Sequence, residues 1–126
     1  VIQDVVFLGK TKAIERILCM SDLFLLTSET ESFGLSSLEA MASYVPVIST
    51  NTGGIPEVNV HGYSGFLSNV GDVDDMAKNA LKLLKDEALM EQFKGQARKQ
   101  AAKFNITEIL PMYERMYSRL TGLPLN

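Results

Sequence analysis

Glu31 and Glu39 stand eight positions apart around a turn that carries a hydroxyl, an aromatic ring and a glycine, Ser32-Phe33-Gly34. A carboxylate that accepts two hydrogen bonds suits a vicinal diol such as a ribose, the role an acidic residue plays in Rossmann sites. After the turn, Leu35, Leu38, Met41 and Ala42 recur at spacings of three and four, which predicts a helix opening near Leu35. The start of such a helix offers unpaired backbone N–H groups and the positive end of the macrodipole. Together these make an anion site of the kind found in phosphate-binding turns. Glu39 lies at i+4 from Leu35 and borders the face that Leu38 and Ala42 are expected to bury. A carboxylate there is seldom buried without a partner. Two roles are open to it: it snorkels outward to pair with Lys12 or Arg16, or it holds the diol of a ligand.

The elements that must position these residues follow from the apolar pattern. Val5-Val6-Phe7-Leu8, closed by Gly9, is a continuous apolar run of the kind that fits a strand covered on both faces. Ala13, Ile14, Ile17, Leu18 and Cys19 fall at helical spacing. Leu23 to Leu26 predicts a second strand, and Val45 to Ile48 a third, with Pro46 at its start. Ile55-Pro56-Glu57 predicts a short helix with Pro in its first turn, and Phe66-Leu67 a brief fourth strand. From Gly71 onward the period is helical. Asp72 is expected to cap a helix striped by Val73, Met76, Ala77, Ala80, Leu81 and Leu84. Met90, Phe93, Ala97 and Ala101 form a second stripe, and Ile109, Tyr113, Met116, Tyr117 and Leu120 a third, with Pro111 near its start and a frayed tail from Thr121. The alternation predicts an α/β fold, a Rossmann-like parallel sheet with flanking helices, in which helices 72–121 pack on the sheet. Ligands bind such sheets outside the carboxyl ends of the strands. Gly9-Lys10-Thr11, Ser28 to Leu35, and Thr50 to Gly54 are therefore expected to line one crevice suited to a phosphorylated ligand bearing hydroxyls.

Composition narrows the class. With 126 residues, 46% hydrophobic and 21% charged, the chain is an ordinary globular domain. A net charge of −3 argues against nucleic acid or an anionic membrane as the main partner. No apolar run is long enough to cross a bilayer, so a cytoplasmic protein is the expectation. The single Cys19 leaves no disulfide to form within the chain and is expected to be a reduced core thiol. The chain opens on Val1-Ile2-Gln3 without an initiator Met, which reads as a piece cut from something longer.

Glu31 to Ala42 resembles the E-x7-E signature of retaining glycosyltransferases with the GT-B fold. Pro46 to Glu57, with its Gly53-Gly54-Ile55-Pro56-Glu57, matches the same family's next block. His61 to Leu67 and Val70 to Val73 continue it, so the likeness runs from about Val6 to Tyr117. It implies an N-terminally truncated C-terminal half of a GT-B enzyme, residues 1–126 being a partial nucleotide-sugar (donor) binding domain. Glu31 would act catalytically by touching donor-sugar hydroxyls. Backbone around Ser32, Phe33, Gly34 and Leu35 would contact sugar and phosphate oxygens, Glu39 would hold the ribose, and Gly9 and Lys10 would lie near the base.

The implied donor is a UDP-linked sugar, N-acetylglucosamine by preference, with no cofactor. The pattern, including Tyr113-Glu114 and Tyr117, is similar to bacterial members that join N-acetylglucosamine to malate. A polysaccharide or lipopolysaccharide transferase is the alternative, and a non-catalytic nucleotide-binding or assembly module the rival of another class. The family's basic pair, catalytic His and acceptor domain lie upstream of the matching region, so the chain alone is expected to be inactive and, with an exposed sheet edge, to self-associate.

Asp72-Val73-Asp74 spells the D-x-D of metal-dependent transferases of another fold. Asp72 as helix cap, with Asp74 and Asp75 complementing the dipole, accounts for it, and no metal is expected. His61 is expected to be a satisfied turn residue, and Glu57 to stabilise a helix start. The family usually carries Gly near Tyr44, where a left-handed residue is favoured; Tyr there would cost about 1 kcal/mol.

Overall fold

The computed structural model describes residues 2–10, 14–30 and 34–104. The expected third C-terminal stripe, Pro111 and the tail lie outside them. After a 3-10 turn at Ile2–Asp4, the elements are α1 (Ile14–Cys19), β1 (Phe24–Leu26), α2 (Leu35–Ala42), β2 (Val47–Thr50), α3 (Ile55–Val58), β3 (Gly65–Ser68), α4 (Val73–Leu84) and α5 (Glu87–Ala102). The three strands form one parallel sheet in the order β1-β2-β3. Phe24 faces Val47 across the first ladder, and Val47 faces Gly65 across the second. The expected parallel α/β sheet is therefore present.

β2 runs down the middle and is buried throughout. Its neighbouring residues Val47 and Ile48 enter different hydrophobic clusters, as a side-chain period of two requires. Val47 joins Leu38, Ala40, Met41, Val58, Ala97 and Ala101. Ile48 joins Phe66, Met76, Leu83, Met90 and Phe93. Helix α5 contributes to both clusters, so the expected stripe Met90-Phe93-Ala97-Ala101 is buried as a whole. Pro46 lies just before β2, where its carbonyl accepts from the Phe24 N–H at 3.0 Å and its missing N–H costs nothing.

Four local expectations need correction. Val5 to Leu8 is not a strand: Phe7 is 86% exposed, and no strand lies beside the run among the described residues. An apolar run becomes a strand only when a ladder and two covering layers satisfy it. Cys19 is exposed at the end of α1, where only Leu18 is buried. Helix α2 buries Ser37, Leu38, Ala40 and Met41 and leaves Ala42 outside. Helix α4 is turned relative to its expected stripe. Met76, Asn79 and Leu83 face inward, while Val73, Leu81 and Leu84 are exposed. Asn79 tolerates burial because its Nδ2 donates to Asp75 Oδ2 (3.4 Å), which also accepts from Ser68 Oγ on β3 (2.6 Å).

Candidate functional site

The loops that leave the carboxyl ends of the strands are stitched together. Thr50 Oγ1 donates to the Ser28 carbonyl at 2.8 Å, and Thr52 Oγ1 to the Glu29 carbonyl at 3.1 Å. On the other side Asn51 Nδ2 donates to Asn69 Oδ1 at 2.9 Å, and the Asn51 N–H to the Ser68 carbonyl at 3.0 Å. The loops after β1, β2 and β3 thus form one rim. Gly9 has a positive φ of 66°, and it and Lys10 are exposed. Among the described residues no hydrogen bond ties them to that rim.

Gly34 opens α2. It adopts φ 83°, ψ 40°, the left-handed region that a side chain would strain, and it is buried. Its carbonyl accepts the first in-helix bond, from the Leu38 N–H at 3.1 Å. Having no side chain, Gly34 caps none of the N–H groups of Leu35, Ser36 and Ser37, and among the described residues no side chain bonds them; such first-turn donors have no partner within the helix. Leu35 is half-buried. Ser37 Oγ is buried without a partner among the described residues.

Glu39 is exposed in the middle of α2, and no ion pair with Arg16 forms among the described residues. Lys12, its other expected partner, lies outside the described residues; an exposed carboxylate one turn from the helix start is what a ligand diol would require. Glu31, Ser32 and Phe33 lie outside the described residues, immediately before Gly34.

The far end of α2 is closed by a Schellman motif. The Val45 N–H reaches the Ala40 carbonyl (3.0 Å), and the Tyr44 N–H reaches Met41 (3.1 Å). Tyr44 takes the position usually held by glycine, with φ 63°, as the sequence led one to expect. The other polar motifs are structural. Asp72 Oδ1 accepts from the Asp75 N–H at 3.1 Å as the cap of α4. His61 Nδ1 accepts from the Leu67 N–H at 2.9 Å, and Glu57 sits exposed in the first turn of α3. Among the described residues no cluster of His, Cys, Asp or Glu could hold a metal ion, and no helix is long and apolar enough to cross a membrane.

The parallel sheet thus carries a glycine-opened helix start at its carboxyl rim and an exposed carboxylate one turn on. Residues 1–100 match the family described as Glycosyl transferases group 1. The chain belongs to that family. It is 49% identical over 114 residues to N-acetyl-alpha-D-glucosaminyl L-malate synthase of Bacillus anthracis, covering 90% of this chain and 30% of the relative. It is 37% identical over 99 residues to 2-deoxystreptamine N-acetyl-D-glucosaminyltransferase of Niallia circulans, covering 78% of this chain and 25% of that one. Among solved structures, Anabaena HepE in complex with UDP superposes with a TM-score of 0.78 at 26% identity, over 96% of this chain and 33% of HepE. The chain therefore spans about a third or less of these relatives. The expected likeness to a GT-B glycosyltransferase, and to the malate-joining enzymes in particular, is met.

Sequence reasoning passed over Thr50 and Thr52 individually and missed Asn59. The threonine pair had a usable signal: Thr50-Asn51-Thr52 ends a strand, and residues two apart share a side. Asn59 is buried on contacts with three segments that no local pattern announces.

Proposed function

We propose that this glycosyl transferases group 1 chain is the donor-binding part of a retaining transferase that moves N-acetylglucosamine from a UDP-linked donor to a small acceptor. The observation that carries this is the glycine-opened start of α2 at the rim of the parallel sheet, uncapped among the described residues, with Glu39 exposed one turn on. In this reading the amides of the turn and of Gly34 and Leu35 meet the sugar and phosphate oxygens. They steady the departing diphosphate with preorganised dipoles, without a metal ion. Glu31 orients the sugar, Glu39 accepts from the ribose hydroxyls, and Gly9 and Lys10 stand near the base.

The relatives support the sugar and nucleotide chosen. Two of them are named for N-acetylglucosamine transfer, and HepE was solved with UDP. By itself the chain binds donor in the cytoplasm without transferring the sugar. Acceptor assays on the full-length enzyme distinguish malate from a glycan.

The test is a calorimetric titration of UDP, UDP-N-acetylglucosamine, GDP and ADP against the chain and its Glu39→Ala variant. A uridine preference and a loss of about 1–3 kcal/mol on removing Glu39 are expected, as for a hydrogen bond to a charged group. Unchanged affinity would remove Glu39 from the site. Binding without transfer by the full-length enzyme would favour a non-catalytic nucleotide-binding module.

A further inference from the structure

The apolar residues of α4 that face away from the core are not scattered. Val73, Ala77, Leu81 and Leu84 follow one another at spacings of four, four and three, so they line one side of the helix. Val73 is 70%, Leu81 47% and Leu84 53% exposed. The helix packs on β2, β3 and α5, and the residues it buries are Met76, Asn79 and Leu83. A contiguous apolar stripe left in water beside such a buried face marks an interaction surface.

Charge is divided along the same helix. Asp72, Asp74 and Asp75 stand at its start, and Lys82 and Lys85 at its end. Compensation of the helix dipole accounts for these signs, but not for Val73, Leu81 and Leu84 in solvent. Asp74 and Lys85 border the stripe on one flank; both are exposed, and neither takes part in an ion pair among the described residues. A second copy laid antiparallel on this face meets its complement. With the two-fold axis near the middle of α4, Val73 stands opposite the partner's Leu84, and Ala77 opposite the partner's Leu81. Each layer sets a smaller residue against a larger one. On the flank, Asp74 comes beside the partner's Lys85, and symmetry makes the same pair twice. A parallel pair of helices would instead set acidic end against acidic end.

We infer that the outer face of α4 is a homodimer interface, in which two copies of this chain pack α4 against α4 antiparallel through Val73, Ala77, Leu81 and Leu84. The twelve residues of α4 make a helix about 18 Å long. One face of it offers less area than an interface of standard size, so the dimer is weak and reversible, with a dissociation constant on the order of 100 μM. The interface stands independently of the donor-binding reading.

The test is sedimentation equilibrium at low salt, over concentrations from about 10 μM to about 1 mM. It compares the wild type with Leu81→Gln, Leu25→Gln, Asp74→Lys, Lys85→Glu and an equimolar mixture of the last two. The wild-type mass is expected to rise with concentration from 13.9 kDa toward twice that value. Leu81→Gln changes an exposed side chain and should weaken association about tenfold. Each charge variant turns both cross-pairs into like-charge pairs and should weaken it about fivefold. The mixture restores attraction at both pairs and should regain the wild-type constant. These charges lie at the surface, so they report on a folded chain whatever Leu81→Gln does. A wild type that stays monomeric throughout, or association unchanged in Leu81→Gln, would overturn the interface. Charge variants that associate like the wild type, or a mixture that fails to recover, would overturn it as well. Loss in Leu25→Gln alone would place the contact at the edge of β1 and remove it from α4.

Discussion

Arg98 on α5 lies over the ring of Tyr44, its guanidinium carbon 5.8 Å from the ring centroid, and its Nη1 donates to the Ala42 carbonyl at 3.3 Å. The contact joins the strained end of α2 to the helix that feeds both clusters of the core. It offsets part of the cost of a tyrosine at φ 63°. Left-handed backbone costs a side chain on the order of 1 kcal/mol, and a surface cation–π contact returns about 0.5–1 kcal/mol. Tyr44→Gly is therefore expected to be nearly neutral in the wild type. In an Arg98→Ala background, with no contact left to lose, it should stabilise by about 1 kcal/mol. Urea denaturation of the four proteins of the cycle measures the difference. Identical effects of Tyr44→Gly in both backgrounds would show that the two residues are not coupled.

Gly65 is required by space, because β2 leaves no room beside it. A Cβ there would fall 1.9 Å from the Val47 carbonyl oxygen and 2.9 Å from Asn59 Oδ1. Backbone cannot retreat there without breaking the parallel ladder between β2 and β3. Gly65→Ala should cost about 3 kcal/mol or more, at or beyond the upper end for overpacked sites. A denaturation midpoint close to that of the wild type would contradict this packing.

Asn59 is the polar rivet of the same region. Its Nδ2 donates to the Val47 carbonyl (3.1 Å), Ser49 Oγ (2.9 Å) and the Phe66 carbonyl (3.4 Å), while its Oδ1 accepts from Ser64 Oγ (2.8 Å). Asn59→Ala would strand these buried partners and open a cavity. The expected loss is about 2–4 kcal/mol. Thermal melting of Asn59→Ala and Asn59→Asp tests it. The aspartate keeps the acceptor for Ser64 but loses the donor, and should also be destabilised. An alanine variant as stable as the wild type would mean that these bonds contribute nothing net.

What the sequence revealed and what it concealed divide along a physical line. The stripe Met90-Phe93-Ala97-Ala101 was legible because the large apolar residues of α5, Leu89, Met90 and Phe93, lie on one face. On α4, Val73, Ala77, Ala80, Leu81, Leu83 and Leu84 surround the helix. Its rotation was settled by a polar residue, Asn79, whose burial depends on Asp75 and Ser68. Pattern reasoning penalises a buried Asn and cannot see the partner that satisfies it. Tyr44 was legible because helix termination is local. The carboxyl-end rim followed from topology, but the bonds that stitch it join residues 22 and 23 positions apart and leave no periodic trace. Glu39 was expected at the edge of a buried face. Its exposure follows from the turn of α2 toward Ser37 and Ala40, small residues that let α2 lie close against its neighbours.

Gly34 separates the demands of folding from those of binding. The space around it is ordinary, with Ile55 Cγ1 at 3.6 Å from an added Cβ, so the cost of a side chain there is one of backbone conformation. Gly62 has a similar φ of 78° and open space around it, but it lies in the turn before β3, at the opposite end of the sheet. Alanine at either position should therefore lower stability by about 1–2 kcal/mol. Only Gly34→Ala moves the N–H groups of Leu35, Ser36 and Ser37, because only there does the helix start have to re-form around a new backbone angle. UDP affinity is accordingly expected to fall about tenfold in Gly34→Ala and to remain unchanged in Gly62→Ala. Calorimetry on both variants, well below their melting temperatures, makes the comparison. Equal UDP affinity in the two would detach the start of α2 from nucleotide binding while leaving its conformational strain intact.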